Sequence, residues 1–391
     1  MVIIYILKFK EQFSMKKIIL LFIIFYTTFS FSQSTTNLKV TESPEFKDKN
    51  YSEAVLAIHT TNNLKTGLIR SGKKVFLLDV FDDKLNKIAS QTLESNNKES
   101  FEGYVSFNDE IKFITVLAPS KRERIVYCNT FNVETNKVHK KELFRADVEK
   151  GGLFTGRNKR GTNVAISPNG QYIAIATDNI KKNLNSYKVH VFDSETLELI
   201  FERSYQEHVD NYFEPNDIFV DDNANLYTLG KLYISGKNQK KDGEANYNFL
   251  LYQLSKGSVK SQIVSLTDGN HIASLIISNY DGKINLVGFY SEKFAGNIKG
   301  GCNFEIDTTT LEVLGKKNTV LPKNVYEDLY GEAKAERHNN KKKELSSFDI
   351  DYIIRDNEGN TFLLAEEFYV TTQYVNTGMN TIYKIFEKVF E

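Results

Sequence analysis

Four acidic residues near the C-terminal end are the side chains whose type and spacing best fit a reaction. Asp349 and Asp351 lie two residues apart in one apolar run, and Glu366 and Glu367 lie at the end of the next. Paired carboxyl groups that flank a scissile bond carry out glycoside cleavage. Solvent-facing positions of ordinary strands would show the same residues, so the spacing leaves both interpretations open.

The same segment holds the residues that we expect to contact a ligand. Tyrosine can stack on a sugar ring, and the chain has 21 Tyr and no Trp. The sequence predicts no catalytic set, no cofactor and no metal site. The predicted binding residues are Asp351, Glu366, Glu367, Tyr369 and Tyr374.

One segment begins like a calcium-binding loop but departs from the pattern. Asp221, Asn223 and Asn225 have the right spacing, yet Leu226 stands where such a loop needs Gly and Leu232 where it needs an acid. We therefore predict a polar β-turn at this position.

The glycine-rich segment 151–161 and the histidines form no recognisable site. The segment reads GGLFTGRNKRG and lacks the Gly-Lys-Ser/Thr ending of a phosphate loop, so we interpret it as a connection between repeats. A zinc site needs ligands at compact spacing. The six histidines are dispersed along the chain: His59, His139, His190, His208, His271 and His338.

The charge balance argues against a dedicated nucleic-acid binder. The 50 basic and 50 acidic residues cancel, whereas proteins that neutralise phosphate carry a basic excess. Hydrophobic residues make up 41% of the chain, which is normal for a protein with a core. Cys128 and Cys302 are too few for a disulfide framework, and we predict two buried free thiols.

The N-terminal 32 residues read as an upstream stretch followed by an export signal. A basic start at 15–17 precedes an apolar run at 18–31, and the small residues Ser30 and Ser32 define a cleavage site before Gln33. The run is short for a membrane span, although an N-terminal anchor is the alternative. We expect a signal peptide at 15–32, no transmembrane segment after its removal, and a secreted, periplasmic or cell-surface protein.

The remaining chain, 33–391, is organised as a repeat of two hairpins. One hairpin type starts with an aromatic residue, and its copies are spaced by 50, 61, 60 and 52 residues. Those starting residues are Phe81, Phe131, Phe192, Tyr252 and Phe304. A second type, with Asn-Gly or Asp-Gly turns, precedes it in the better-formed units, as at 164–177 and 275–289.

Two hairpins make four strands, which is the composition of a β-propeller blade. We predict an all-β protein, a propeller of about six four-stranded blades with one short helical insert at 322–347. A run of β-sandwiches is the alternative. The predicted blades are 51–98, 101–145, 160–206, 212–267, 271–320 and 346–391.

The insert and the end of the chain depart from the repeat. Segment 322–347 is charged and rich in Ala, Glu and Lys, so we interpret it as a solvated helical excursion, with a lid or docking arm as the alternative. The last unit supplies one hairpin and a strand at 380–390, which predicts a chain that stops before its final outer strand. Segment 37–46 is the alternative closing strand.

The layout resembles a group of uncharacterised exported β-propeller-like proteins of Gram-negative Bacteroidetes. The features that carry the resemblance are the 322–347 insert, the DNEGN turn at 356–360 and the EEFYV strand at 366–370. The resemblance implies export and a propeller-like fold, and it implies no activity.

The absence of a catalytic motif leads to a functional expectation. We expect an exported, monomeric propeller that acts as a non-enzymatic binding or scaffold protein for an unknown protein or carbohydrate. The alternative is a carbohydrate-active or other hydrolytic propeller enzyme that uses the carboxylates of the last unit. A third possibility is an accessory subunit of an envelope complex, docked through 322–347.

Overall fold

The described part of the protein begins after the predicted export signal. The computed structural model describes residues 52–148, 162–178, 187–205, 211–266, 269–280, 282–292, 297–340, 344–346, 348–356, 361–377 and 380–389. All of them belong to one compact unit, Lys47–Glu391, and the other unit, Met1–Phe46, lies outside the described residues. The predicted signal peptide at 15–32, the closing strand at 37–46 and the segment 151–161 also lie outside them.

The described chain is built from antiparallel meanders that follow one another in sequence. Sheet 1 contains β1 (Ser52–Thr60), β2 (Thr66–Gly72), β3 (Val75–Phe81) and β4 (Lys87–Glu94). Sheet 2 contains β5 (Glu99–Phe107), β6 (Glu110–Ser120), β7 (Glu123–Asn132) and β8 (Lys137–Asp147). Sheet 3 contains β9 (Asn163–Ile166), β10 (Tyr172–Asp178), β11 (Tyr187–Asp193) and β12 (Leu199–Tyr205).

The later sheets carry small additions between their strands. Sheet 4 contains β13 (Phe213–Val220), β14 (Leu226–Tyr233), β17 (Tyr247–Leu254) and β18 (Val259–Val264), with a two-stranded arm of β15 (Lys240–Lys241) and β16 (Glu244–Ala245). Sheet 5 contains β19 (His271–Tyr280), β20 (Lys283–Ser291), β22 (Gly300–Ile306) and β23 (Val313–Val320). Sheet 6 contains β25 (Phe348–Arg355), β26 (Thr361–Thr377) and β27 (Asn380–Val389), and a short pair joins β21 (Asn297–Ile298) to β24 (Leu345–Ser346).

The predictions of an all-β protein and of four-stranded antiparallel units are confirmed. Five sheets have four strands, and the last has three in the part of the chain that is described. The number of blades and the closure of the ring stay predictions.

Three of the five hairpins that start with an aromatic residue, those of sheets 1, 3 and 5, turn where an aspartate caps the backbone, and Asn132 and Ser255 take this place in sheets 2 and 4. In sheet 5, Asp307 Oδ1 accepts hydrogen bonds from the N–H groups of Thr309 (2.7 Å) and Thr310 (2.8 Å). Asp82 and Asp193 cap the matching turns of sheets 1 and 3. An aspartate side chain mimics a backbone turn in this way, so the repeated Asp positions set the hairpin ends.

Successive sheets pack face to face and share a core at each interface. In sheet 2, Phe113 and Phe131 pack against sheet 1, whereas Ile114 and Val126 pack against sheet 3. Alternate residues of a strand point to opposite faces, so one strand serves two cores. The same arrangement continues from sheet 3 to sheet 4 and from sheet 4 to sheet 5.

The first strands of successive sheets lie side by side from β1 through β5, β9 and β13 to β19. Between β13 and β19 the contact is hydrogen-bonded. Asn216 Nδ2 donates to the Leu275 carbonyl (2.5 Å), and the Ile277 N–H donates to Asp217 Oδ2 (2.7 Å). A register shift recurs in the first strand of sheets 1, 2, 4, 5 and 6, so these sheets bend alike.

The insert is helical, with α1 (Lys323–Tyr330) and α2 (Glu332–Asn340), and most of its described side chains are exposed, as expected for a solvated excursion. One side of it nevertheless packs on the sheets. Val325, Tyr326 and Tyr330 pack with Phe289 of sheet 5, and Ala335 is 1% exposed. Because charged residues dominate the composition of the segment, its few apolar residues were not recognised as one face of a helix. Neither of these helices, the two in the described part, has the length and apolar character needed to cross a bilayer.

The connections divide the described sheets into two unlike ends. The tight-turn end carries the connections after the first and third strands of each sheet, which run from two residues (108–109) to six (307–312). The long-connection end carries the others, which include the two-residue turns 73–74 and 121–122 but also the long connections 234–246 and 321–347. Binding and catalytic residues are disproportionately found on such loops, held by a rigid scaffold.

Candidate functional site

The connection 234–246 of sheet 4 folds back on itself and presents a carboxylate. Asn246 Nδ2 donates to the Ser235 carbonyl (2.5 Å), which closes the base of the loop. The arm turns at 242–243, where Asp and Gly both have positive φ, 55° and 87°, as a type I′ hairpin requires. Glu244 is the first residue after this turn, and the hairpin therefore determines its position.

A small, open cleft of about 50 Å³ lies beside this arm, between β17 and β18 of sheet 4 and the start of sheet 5. At its edge His271 Nε2 lies 2.8 Å from Glu244 Oε2. The His271 side chain is 19% exposed and that of Glu244 is 69% exposed, so the imidazole is sheltered while the carboxylate faces solvent. The residues lining the cleft include Tyr247, Asn248, Phe249, Ser265, Asn270 and His271.

The aromatic wall of the cleft is buried and ties two sheets together. The Tyr247 hydroxyl donates to the Ile272 carbonyl (2.9 Å), which joins sheet 4 to sheet 5. Lys231 Nζ lies 4.4 Å from the centre of the Tyr247 ring and 5.7 Å from that of Phe249. Burial raises the pKa of Tyr247, so its hydroxyl stays protonated and keeps this hydrogen bond at neutral pH.

Next to this wall, a second tyrosine donates a hydrogen bond to an acid of the first strand of sheet 4. Tyr233 is 1% exposed, and its hydroxyl donates to Glu214 Oε2 (2.6 Å). The rings of Tyr212 and Tyr233 lie 5.2 Å apart, and Lys237 Nζ lies 4.6 Å from the Tyr212 ring centre. These contacts hold the start of the connection 234–246 against sheet 4.

A histidine held by a carboxylate is suited to proton transfer. A carboxylate only accepts hydrogen bonds, so the contact with Glu244 favours the His271 tautomer with its proton on Nε2. Nδ1 is then the nitrogen that can take a proton from a bound molecule. Asn248 and Ser265 add neutral hydrogen-bonding groups to the same cleft.

The acids predicted from the last unit lie in β25 and β26, and their side chains are outside the described part. The backbone register places Asp349 opposite Glu366, and Phe348 opposite Glu367. Neighbouring residues of a strand belong to opposite faces of the sheet, so Glu366 and Glu367 do not share a face.

The register also spreads the other predicted binding residues. Asp351 is the extra residue of the register shift in β25, a position that Asn216 takes in β13. Tyr369 pairs with Lys388. Tyr374 lies eight residues beyond Glu366 on one strand, about 26 Å at the usual rise of a strand. The five residues are thus distributed along β25 and β26, and their role in binding stays a prediction.

The turn predicted in place of a calcium loop is confirmed. Asp221 Oδ1 accepts hydrogen bonds from the N–H groups of Asn223 (2.9 Å) and Asn225 (2.7 Å). The carboxylate is thus used as a turn cap. Among the described residues, no three His, Cys, Asp or Glu side chains come together as a metal-binding group.

The described histidines and cysteines outside the cleft have structural surroundings. His190 is 5% exposed and stacks on Phe144 with ring centres 3.7 Å apart, and burial lowers the pKa of His190 to about 4. Cys128 and Cys302 are free and buried, as predicted, and burial raises the pKa of each thiol to about 12. Neither thiol is a nucleophile at neutral pH.

Sequence reasoning missed the His271–Glu244 pair because the histidines were compared only with one another. The two residues are 27 positions apart and belong to different repeat units. The Asp-Gly dipeptide at 242–243 was the available signal, since it predicts a hairpin inside an otherwise polar connection. Nothing local in the sequence places that hairpin beside the start of β19.

Comparisons with known proteins were made for both sequence and structure. No family model and no curated protein matches the chain. Among solved structures, a point mutant of Synechocystis apocarotenoid oxygenase (ACO) is 7% identical, with a TM-score of 0.40 over 79% of this chain and 64% of that one. An ACO/RPE65 chimera is 9% identical, with a TM-score of 0.38 over the same shares.

A luciferin-regenerating enzyme is also similar, at 9% identity and a TM-score of 0.31, over 62% of this chain and 71% of that one. The chain thus spans 64% of the length of the oxygenase structures. At these identities and TM-scores the likeness transfers no activity, substrate or residue role to this chain. These proteins are enzymes by name, however, which contradicts the prediction of a non-enzymatic binding or scaffold protein, and we withdraw that prediction.

Proposed function

We propose that this chain is an enzyme that moves a proton on a small polar substrate bound in the cleft between sheets 4 and 5. The observation that carries the proposal is the 2.8 Å contact between His271 Nε2 and Glu244 Oε2 at the cleft edge. Glu244 acts as the positioning residue, and His271 Nδ1 is the proton acceptor.

We also propose that the six sheets are the blades of a β-propeller. Support comes from the face-to-face packing of successive sheets and from the side-by-side order of their first strands. In that arrangement the cleft lies on the loop-rich end of the propeller. An experimental structure with the sheets in an open row would contradict the ring.

Export is proposed from the sequence, on the basis of the basic start, apolar run and cleavage site at 15–32. The resemblance to exported Bacteroidetes proteins agrees with it. Mass spectrometry of protein recovered from the periplasm or medium should find Gln33 at the N-terminus, and a membrane-bound form that keeps Met15 would contradict it.

The base can be tested without the natural substrate by using 5-nitrobenzisoxazole. A general base removes the carbon-bound proton of this probe, the N–O bond breaks, and the coloured cyanophenolate forms. We expect the chain to accelerate the reaction, and His271→Gln to lower the rate by about 100-fold, the usual contribution of a positioned base. Glu244→Gln should lower it by about 10-fold, because the ring stays in place but loses its charged partner.

The matched control is His59→Gln, which changes a histidine at the tight-turn end. His59 lies in sheet 1, at the end of the sheets opposite to the cleft, and its Nε2 contacts the Asn108 carbonyl (2.7 Å). This variant should keep the wild-type rate. A rate no higher than that of buffer, or a His271→Gln variant as fast as wild type, would contradict the proposal.

A further inference from the structure

The histidine at the cleft edge lies on the terminal pair of a β-ladder. His271 is the first residue of β19, and the register pairs it with Ser291, the last residue of β20. The ends of secondary-structure elements open locally far more easily than their middles do. A base on such a pair keeps its position only where groups outside the two strands hold the pair closed.

One carboxylate from outside the two strands holds the β20 side of this pair. Glu344 Oε2 accepts a hydrogen bond from Ser291 Oγ (2.8 Å), and Glu344 Oε1 accepts one from the Glu292 N–H (2.7 Å). Ser291 is fully buried. Hydrogen bonds to an ionised acceptor are stronger than those between neutral groups. Both oxygens of one carboxylate thus fix two successive residues at the end of β20.

The β19 side of the pair is held by a different sheet. The Tyr247 hydroxyl of sheet 4 donates to the carbonyl of Ile272, the residue that follows His271 (2.9 Å). The two supports act on opposite strands of the same ladder end. Glu344 therefore supplies a restraint on the terminal pair that Tyr247 does not replace.

Glu344 reaches Ser291 from the helical insert. It lies directly before β24, whose Leu345 pairs with Ile298 of β21. The apolar side of α1, including Tyr326, packs with Phe289, two residues before Ser291. The carboxylate is consequently in place when the connection 321–347 is packed on sheet 5.

A second acid of the insert has a purely local contact. Glu327 Oε1 lies 2.6 Å from Lys323 Nζ within α1, in an i,i+4 pair. Glu344 instead bonds to a residue 53 positions away in the chain. The comparison separates an acid that stabilises its own helix from one that joins the insert to the strand end beside the cleft.

We propose that Glu344 is a positioning residue for His271 and that it makes proton transfer in the cleft depend on the packed insert. The inference rests on the proposed role of His271 as the base. Proton transfer requires the base within hydrogen-bond reach of the proton, so a small displacement lowers the rate steeply. Release of the insert from sheet 5 frees the terminal pair and lowers the rate, and the insert thereby regulates the site.

The rate with 5-nitrobenzisoxazole, measured on the full chain, is the first readout. Glu344→Ala removes both hydrogen bonds and should lower the rate by about 10-fold. Glu344→Gln and Ser291→Ala each retain one of the two hydrogen bonds and should lose less. In the His271→Gln background, Glu344→Ala should cause no further loss, because it acts through the base that is already missing.

The second readout follows the His271 ring directly and needs no catalysis. Nitrogen-15 spectra, with the ring assigned by comparison with His271→Gln, should show one tautomer in the wild type, with the proton on Nε2. Glu344→Ala should give a mixture of the two tautomers, because the ring no longer meets Glu244 in one geometry. If the wild type did not accelerate the reaction, the proposed proton transfer would fail, and these spectra alone would decide whether Glu344 positions His271.

The matched control is Glu327→Ala, which removes the local acid of the same insert and should leave the rate and the spectra unchanged. Wild-type His271 spectra in Glu344→Ala, or an equal loss of rate with and without His271, would overturn the proposal, since Glu344 would then have only a structural role. Circular dichroism checks that each variant is folded. If Glu344→Ala failed to fold, Glu344→Gln and Ser291→Ala would decide by the same two readouts.

Discussion

The two ends of the sheets differ in how their connections are stabilised. At the tight-turn end, aspartates cap short turns, and side chains of one sheet donate to the turn carbonyls of the next. Arg203 of sheet 3, for example, donates through Nε to the Ser255 carbonyl of sheet 4 (2.6 Å). At the long-connection end, the connection 234–246 folds into its own small structure and presents Glu244 to His271.

The difference shows how stability and function are separated in this molecule. Four successive interfaces have the same kind of tie at the tight-turn end, donated by Gln91, Lys141, Arg203 and Lys260. These ties join neighbouring sheets. The end with long connections is then free to vary, and the cleft lies there.

The largest effect is expected where the backbones of sheet 5 come closest, near the long-connection end. A Cβ on Gly288 would lie 1.9 Å from the Ser274 carbonyl oxygen and 2.9 Å from the Leu275 Cα, both backbone atoms. Gly288→Ala should lower the free energy of unfolding by about 3 kcal/mol or more, because strand β19 must move. Urea unfolding followed by circular dichroism measures the change.

Gly257→Ala is the matched control at the tight-turn end, where nothing lies within 4 Å of the added Cβ. Its stability should stay within about 0.5 kcal/mol of wild type. Equal losses for Gly257→Ala and Gly288→Ala would show that the two ends are not packed differently.

An intermediate effect is expected from breaking one tie between sheets. Arg203 also donates through Nη2 to the Lys256 carbonyl, so its guanidinium satisfies two carbonyls of one turn. Arg203→Ala should lower the free energy of unfolding by about 1–2 kcal/mol, the usual worth of charged hydrogen bonds that are partly exposed. The change in the free energy of unfolding is obtained from the urea midpoints of the two proteins, provided that its slope against urea concentration is the same for both.

Arg145→Ala provides the comparison for Arg203→Ala. Arg145 is bonded only to acids of its own sheet in the contacts described, Glu142 (2.8 Å) and Glu123 (3.3 Å), and its side chain is 55% exposed. Exposed ion pairs contribute little, so this variant should be close to wild type. A loss as large as that of Arg203→Ala would mean that the tie between sheets has no special role.

The smallest effect is a pH dependence of the turn caps. Hydrogen bonds from the N–H groups of Thr310 and Thr309 hold the pKa of Asp307 below its usual range. A carboxylate with a lowered folded pKa stabilises the fold above its unfolded pKa, and the stabilisation is lost as pH falls through the folded pKa. Wild type should therefore lose more stability than Asp307→Asn when pH falls from about 5 to about 2.

The comparison variant is Glu312→Gln, which changes an exposed acid at the end of the same turn. Its acid-induced loss should equal that of wild type in thermal melts recorded across the same pH range. If Asp307→Asn and Glu312→Gln showed the same pH profile, the cap at Asp307 would not be a source of acid sensitivity.

Local patterns in the sequence predicted the sheets well, because strands and turns depend mainly on residues that are close together in the chain. Polar turn residues between alternating apolar runs specify hairpins through short-range backbone preferences. Asp307 caps the turn that its repeat position predicted, and Asp221 does the same in place of a calcium loop. The helices of 322–347 were predicted from composition, but their packing through Tyr326 and Tyr330 was not.

The candidate site could not be predicted in the same way. Closeness in sequence suggested a site at four acids, Asp349, Asp351, Glu366 and Glu367. The strand register places them on both faces of one hairpin. The sequence did not suggest the pair of His271 and Glu244, because no spacing rule relates residues in different repeat units. Conversely, the exposure of Tyr352 and Phe362 depends on what covers the sheet, and the alternation of residues along a strand does not contain that information.

By itself, the sequence determined the all-β class, the four-stranded units, the hairpin turns and the two buried thiols, since each depends on interactions over a few residues or on average burial. Only the tertiary structure decided which sheets share a core, which turn receives the Arg203 guanidinium, and which carboxylate meets His271. The physical reason is one of range. Turn and strand preferences act between neighbours in the chain, whereas a site is formed by groups that packing brings together from distant positions.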